Sequence, residues 1–219
     1  MRARILLADQ QKILTDGLSK LLEQFYDVVA TAANGYELIT LAKELNPDVI
    51  VTEISMPLLN GMDALRALNK SGARAKFVVL TMHLDMGLAV QAFRTGASAY
   101  VLKQGSSEDI HAAVEAALHG RYYLSAAFPA DLVTVLAEAA RHSEEDGARL
   151  SRRQREVLQL VAEGKTMKEV ATVLGISTRT AESYKYEMMR SLGIRTSAEL
   201  VQYAIRIGLI SVTPLRSAA

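Results

Sequence analysis

Four polar side chains stand where apolar runs stop. Asp9 follows "RILLA", Glu53 follows "DVIVT", Thr81 follows "FVVL" and Lys103 follows "AYVL". Two carboxylates, a hydroxyl and an ammonium, with a formal charge of −1 between them, can pair with one another or hold a charged guest. One polar strand end would mean little, because strands must stop somewhere; four of complementary chemistry make a pocket. A second set lies in "STRTAESYKYEMMR", where Thr178, Arg179, Thr180, Glu182, Ser183, Lys185, Tyr186 and Arg190 follow one another at helical spacing. Hydroxyls, cations and one acceptor carboxylate on one helix can meet a polar or charged partner. The sequence has no cysteine, which removes disulfides, thiolate nucleophiles and Cys-ligated zinc together.

The elements that must carry these groups can be read from periodicity. Short apolar runs at 5–8, 28–30, 49–51, 77–80 and 100–102 alternate with segments of helical period such as "QKILTDGLSKLLEQ" and "SSEDIHAAVEAALHG". The runs are continuous rather than alternating, as in strands buried on both faces. An α/β domain is expected, with a five-stranded, doubly wound parallel sheet over residues 1–120. All four polar strand ends then lie at the carboxyl edge of that sheet, where open α/β sheets build their sites, beside the switch between first and third strands.

After Gly120 the pattern changes. Residues 121–149 read as a linker, with "PADLVTVLAEAARH" as an amphipathic helix and "SEEDGAR" as a charged connector. From 150 to 212 four helical segments follow, each opened by Ser or Thr and closed by Gly164, Gly175, Gly193 or Gly208, which is N-cap and C-cap chemistry. A tail, 213–219, ends the chain. Charge divides with the pattern: residues 1–150 carry 14 Lys and Arg against 18 Asp and Glu, whereas residues 151–219 carry 11 against 6. A basic small half on an acidic larger half suggests a polyanion-binding module under the control of something else. Between Thr166 and Leu192 two helices meet through "LGIST", with Ala181, Met188 and Leu192 on one face of the second. That is helix-turn-helix spacing, and small polar residues opening the second helix can offer backbone N–H groups to phosphate.

With these residues in view, the first 120 positions resemble the receiver domain of two-component response regulators. The matching features are Asp9 after "RILLA", the segment "PDVIVTE" followed by "MP" and "NG", Thr81 after "VVL", and "GASAYVLK" with Tyr100 and Lys103. The resemblance implies an aspartate phosphoacceptor at position 53, charged from a histidine kinase, and a pair of acidic residues after the first strand that help hold Mg²⁺. It also implies a threonine and a lysine that meet the phosphoryl group, and an aromatic that turns inward as the switch. Here Glu53 replaces the acceptor aspartate and Gln10 replaces the second acid. An oxygen displaced by one methylene is poorly placed for in-line attack. Losing one anionic ligand weakens Mg²⁺, which sheds water reluctantly. No cofactor is therefore expected to be required, Mg²⁺ is expected to bind weakly if at all, through Asp9 and Glu53, and a histidine kinase partner is in doubt. Glu53 can substitute for the phosphorylated state by reaching toward Lys103 and Thr81, or lie solvated in a dead site; residual phosphorylation is a third reading.

Residues 150–212 resemble the LuxR/NarL type of DNA-binding domain through "REVLQLVAEG", "KEVATVLGIS", Thr180 and "MMRSLGIRT". The resemblance implies that Glu182, Ser183 and Tyr186 reach base edges in the major groove, while Thr178, Arg179, Thr180 and Lys185 suit phosphate; helical spacing leaves Arg190 facing outward or bordering the core, as a further candidate for DNA contact. Arg152, Arg153 and Arg155 form a second basic cluster, for DNA or simply as a solvated helix face. The combined expectation is a transcriptional regulator that binds double-stranded DNA as a homodimer, is not an enzyme, and works independently of phosphorylation or constitutively. With no apolar run near 18 residues, no membrane partner and a cytoplasmic location are expected. The alternatives are a protein-interaction adaptor that no longer reads DNA and, disfavoured by Glu53, a phosphoaspartate-type hydrolase.

Overall fold

Residues with two buried faces and a two-residue side-chain period must contribute to two cores at once, and the sheet of the first unit does so. The computed structural model describes residues 1–129, 132 and 150–210. The chain divides into two units, Met1–Asp146 and Gly147–Ala219. The first runs β1 (Arg4–Ala8), α1 (Lys12–Leu22), β2 (Asp27–Ala32), α2 (Gly35–Leu45), β3 (Val49–Thr52), α3 (Gly61–Lys70), β4 (Lys76–Thr81), α4 (Met86–Thr95), β5 (Ala99–Leu102), α5 (Ser107–Leu118) and β6 (Tyr123–Leu124). The strand order is β2-β1-β3-β4-β5-β6, every neighbouring pair parallel. Alternate strand residues serve opposite cores. Leu6, Ile50, Phe77, Val79 and Tyr100 pack with Leu38, Leu65 and Phe93 of α2, α3 and α4. Ile5, Leu7, Val51, Val78 and Val101 pack with Leu22 of α1 and with Ile110 and Val114 of α5.

The sheet has six strands rather than the expected five, and the first unit continues past residue 120. Tyr123 and Leu124 pair with Ala99 and Tyr100, the Ser125 hydroxyl accepts from Leu102 N–H, and Phe128 meets the Tyr100 ring edge-on at 5.7 Å. Two residues cannot display a strand period, which is why this edge strand left no mark in the sequence. Of the amphipathic helix expected in 129–142, all but Pro129 and Leu132 lies outside the described residues, as do the charged connector and the 213–219 tail.

The carboxyl edge is stitched by backbone bonds that continue the strand pairing. Asp9 N–H donates to Ala32, Glu53 N–H to Ala8 and Lys103 N–H to Thr81, at 2.9, 2.8 and 2.8 Å. The loop after β3 returns so tightly that a Cβ on Gly61 would stand 2.0 Å from the Glu53 carbonyl oxygen. Position 61 therefore admits only glycine, and the start of α3 presses directly on the residue in question.

The second unit comprises α6 (Arg152–Ala162), α7 (Met167–Leu174), α8 (Thr178–Leu192) and α9 (Ser197–Arg206). Ser151, Thr166, Ser177 and Thr196 cap them, each side chain accepting a backbone N–H from the first turn. The expected cap chemistry is present, with the fourth cap one residue earlier than the sequence suggested. The turn between α7 and α8 is set by Gly175 at φ 63°, a left-handed conformation that glycine adopts without steric cost. Ala181 and Met188 of α8 are fully buried and Leu192 is half-buried, as the spacing implied.

Candidate functional site

The strand ends bring Asp9, Glu53 and Lys103 into one cluster. Lys103 Nζ lies 2.6 Å from Asp9 Oδ2 and 2.7 Å from Glu53 Oε2, with side-chain exposures of 4, 9 and 6% for lysine, aspartate and glutamate. The remaining oxygens are also engaged. Glu53 Oε1 accepts from the backbone N–H groups of Ile54 and Ser55 at 2.6 and 3.2 Å, and Asp9 Oδ1 accepts from Gln11 N–H at 2.9 Å. Gln10 contributes a donor rather than a charge: its Nε2 donates to the Ser55 carbonyl at 3.2 Å. Glu53 is thus buried and paired rather than solvated. At this burial a carboxylate needs a cation and N–H donors, and it has both.

Thr81 is fully buried at the same edge, yet the hydrogen bond its hydroxyl makes is the one it accepts from His83 N–H at 3.3 Å, and no donation from it to the Glu53 carboxylate is seen. The expected reach of Glu53 toward Thr81 is therefore absent among the described residues, and only the Lys103 half of that expectation is met. Tyr100 points inward, 0% exposed, and its hydroxyl donates to the His83 carbonyl at 2.7 Å. Burial first, then the negative charges of Asp85 and Glu53, push the Tyr100 hydroxyl well above the usual phenol range. His83 was not foreseen. Its Nε2 lies 2.9 Å from the Ser55 hydroxyl, so one loop residue joins the β3–α3 loop, Thr81 and Tyr100. Its only signal in the sequence is a histidine two positions after the polar strand end, in "TMH".

In the second unit Thr178, Arg179, Thr180, Glu182, Ser183, Tyr186 and Arg190 are exposed on α8. Tyr186 is 70% exposed, a large ring held out from the helix. Ser183 Oγ turns back to the Arg179 carbonyl at 3.0 Å, and Ser177 Oγ lies 2.8 Å from Thr180 Oγ1. Lys185 is half-buried and donates one hydrogen bond to Ser197 Oγ of α9 at 3.2 Å. The basic cluster on α6 changes meaning. Arg152 Nε and Arg153 Nη1 hold the two oxygens of Glu156 at 2.9 and 2.7 Å, and that carboxylate is 1% exposed. Arg155 donates to the Leu150 carbonyl at 3.0 Å. Arg152 and Arg153 thus pair with a buried carboxylate while their own side chains stay 59 and 48% exposed. A glutamate abutting "VLQLV" was the available sign that a carboxylate would be carried inward.

A six-stranded parallel sheet with its polar groups at the carboxyl edge, followed by a capped helix-turn-helix, defines a regulator with an input and an output domain. Residues 5–115 match the response regulator receiver domain and residues 148–204 match the bacterial regulatory proteins of the luxR family. This chain belongs to the response regulators of that two-domain, LuxR-type class. It is 33% identical to the transcriptional regulatory protein MctR of Rhizobium johnstonii over 96% of both chains. Among solved structures it is similar to RcsB of Salmonella enterica serovar Typhimurium bound to promoter rprA in the presence of the phosphomimetic BeF3−, at 27% identity, TM-score 0.60, and 93 and 98% of the two chains. A further similar structure, of two RcsB dimers bound to two parallel DNAs, gives 26% identity, TM-score 0.56, and 96 and 100% of the two chains. No helix among the described residues is long and apolar enough to cross a membrane.

Proposed function

We propose that this protein is a sequence-specific transcription factor that binds double-stranded DNA as a dimer, with its receiver held in the signalling arrangement by its own residues instead of by phosphorylation. The carrying observation is the 2.7 Å ion pair between Lys103 and Glu53 in the buried pocket. Glu53 supplies an oxygen to the lysine as a phosphoryl group would, and the inward Tyr100 on His83 accompanies it. The residues do not fit Mg²⁺. Both acids are already on an ammonium, Gln10 brings a donor to the Ser55 carbonyl, and Glu53 Oε1 is held by backbone N–H groups. A hard dication needs free oxygen ligands in octahedral array. Recognition falls to α8, with Glu182, Ser183 and Tyr186 on bases and Thr178, Arg179 and Thr180 on phosphate. Pairing two modules raises affinity through effective concentration, and the similar RcsB is a dimer on DNA.

Duplexes selected from a randomised library on the untreated full-length protein supply the site, and titration of that duplex is the test. The parent should bind without any phosphodonor. Glu53→Gln and Lys103→Ala should each bind about 5- to 150-fold more weakly, the range of a coupling worth about 1–3 kcal/mol. The double variant should lose little more. Equal binding by all four proteins would make the pocket a relic, and failure to enrich any duplex would favour the adaptor. Acetyl phosphate with Mg²⁺ should leave the intact mass of the parent unchanged, whereas Glu53→Asp with Gln10→Asp should gain a phosphorylated fraction.

A further inference from the structure

Thr81 and Tyr100 belong to neighbouring strands, yet they share a partner that belongs to neither. His83, in the β4–α4 loop, uses both of its backbone groups and its ring. Its N–H donates to Thr81 Oγ1 at 3.3 Å, and its carbonyl accepts from the Tyr100 hydroxyl at 2.7 Å. Its Nε2 lies 2.9 Å from the Ser55 hydroxyl. Ser55, 7% exposed, is engaged as fully: its N–H donates to Glu53 Oε1 at 3.2 Å, and its carbonyl accepts from Gln10 Nε2 at 3.2 Å. Glu53, Ser55, His83 and Tyr100 are therefore joined in succession by hydrogen bonds. The Tyr100 ring then meets Phe128, beyond β6, edge-on at 5.7 Å.

Burial makes each link in this series hard to break. A buried hydroxyl that loses its partner is left desolvated and unpaired, which is unfavourable whichever way the backbone moves. When a change at Glu53 displaces the Ser55 N–H, the Ser55 hydroxyl moves with it, and His83 must follow to keep that hydroxyl paired. The Tyr100 hydroxyl, on a residue 0% exposed, depends in turn on the His83 carbonyl. A second connection runs through Lys103, just beyond β5, on which Tyr100 sits. It is the less responsive of the two, because Lys103 Nζ is held by Asp9 at 2.6 Å as closely as by Glu53 at 2.7 Å, and stays anchored when Glu53 loses its charge.

We propose that Ser55 and His83 are positioning residues that carry the state of Glu53 to Tyr100, by a route separate from the Thr81 hydroxyl. The proposal rests on the reading of this pocket as the regulator's input, and names the residues that transmit it. Coupling of this kind is established by the failure of two substitutions to add.

Full-length protein labelled with 3-fluorotyrosine reports Tyr100 directly, through the fluorine resonance that Tyr100→Phe removes. Ser55→Ala and His83→Leu should each shift or split that resonance. His83→Gln, whose amide can still meet the Ser55 hydroxyl, should return it toward the parent position. Glu53→Gln should displace the resonance in the parent and leave it unmoved in Ser55→Ala. An equal displacement in both backgrounds would give transmission to Lys103 and overturn the proposal. So would no displacement in either background, or a parent-like resonance in both Ser55→Ala and His83→Leu. Duplex titration separates this outcome from the reading beneath it. Where Glu53→Gln weakens duplex binding, Ser55→Ala should weaken it by about twofold or more, with little further loss in the double variant. If Glu53→Gln moves the resonance through Ser55 while duplex binding is unchanged, transmission stands and constitutive signalling falls.

Discussion

The pocket at the sheet edge and the exposed face of α8 are both rich in polar side chains, and they use them in opposite ways. In the pocket one ammonium satisfies two carboxylates, and backbone N–H groups and Gln10 engage the other acceptors. On α8 the first-turn Thr178, Arg179 and Thr180 and the outward Glu182 and Tyr186 stand in solvent. Buried polar groups must find partners inside the protein, because desolvation without them costs several kcal/mol. Exposed groups keep water until a ligand replaces it. The exposed face leaves its hydrogen-bonding capacity open, whereas the buried pocket has filled its own internally.

The largest effect expected from testing that contrast concerns two exposed arginines whose common partner is buried. Arg152→Ala with Arg153→Ala strands Glu156, 1% exposed, without a cation. The second unit should lose about 3–5 kcal/mol, the cost of leaving a buried charge uncompensated. Urea unfolding of the full-length protein, followed by far-ultraviolet circular dichroism, would measure it, and a loss below about 1 kcal/mol would show that water reaches this carboxylate.

Next in size is the exposed carboxylate of α8. Glu182→Ala should change which base is preferred at one position, by about 1–3 kcal/mol of discrimination, while the affinity for random duplex rises or holds because a charge repelled by phosphate has gone. Repeating the library selection with the variant would check this. An unchanged preferred sequence would remove Glu182 from base reading.

The alkaline limb of stability should belong to the first unit. Tyr26, Tyr100 and Tyr123 all have phenols raised above the ordinary value of 10.0. In Tyr123, burial and then the hydrogen bond and charge of Asp109 push it up to about 12. A raised folded value means the unfolded chain loses these protons first. Their contribution is complete below about pH 10 and is lost as pH rises through the folded values. The urea midpoint of the first unit should fall between pH 9 and pH 11, and less steeply in Tyr100→Phe; identical slopes would mean that Tyr100 ionises as freely folded as unfolded.

The smallest effect compares two cations on one helix. Arg179 is exposed in the first turn of α8, whereas Lys185 is engaged with Ser197. Arg179→Ala should weaken binding to all duplexes and flatten the salt dependence by about one unit of slope. Lys185→Ala should do less of each. A Lys185 effect equal to or larger than that of Arg179 would show that the Ser197 contact gives way on DNA.

The amino-acid sequence determined the elements: continuous apolar runs made two-faced strands, Ser and Thr with Gly bounded the helices of the second unit, and strand ends put Asp9, Glu53, Thr81 and Lys103 on one edge. These are local signals, written in periodicity, caps and breakers that act over a few residues. Tertiary structure decided the partners. The sequence alone left Glu53 open between Lys103, Thr81 and solvent, and the fold gave it to Lys103 while Thr81 went to His83. It likewise gave Arg152 and Arg153 the buried carboxylate of Glu156 as a partner, and added β6 where two residues could carry no period. A buried carboxylate takes whichever donor the packing of distant segments brings within about 3 Å, and that choice is made by the whole sheet and its helices rather than by neighbours in the chain.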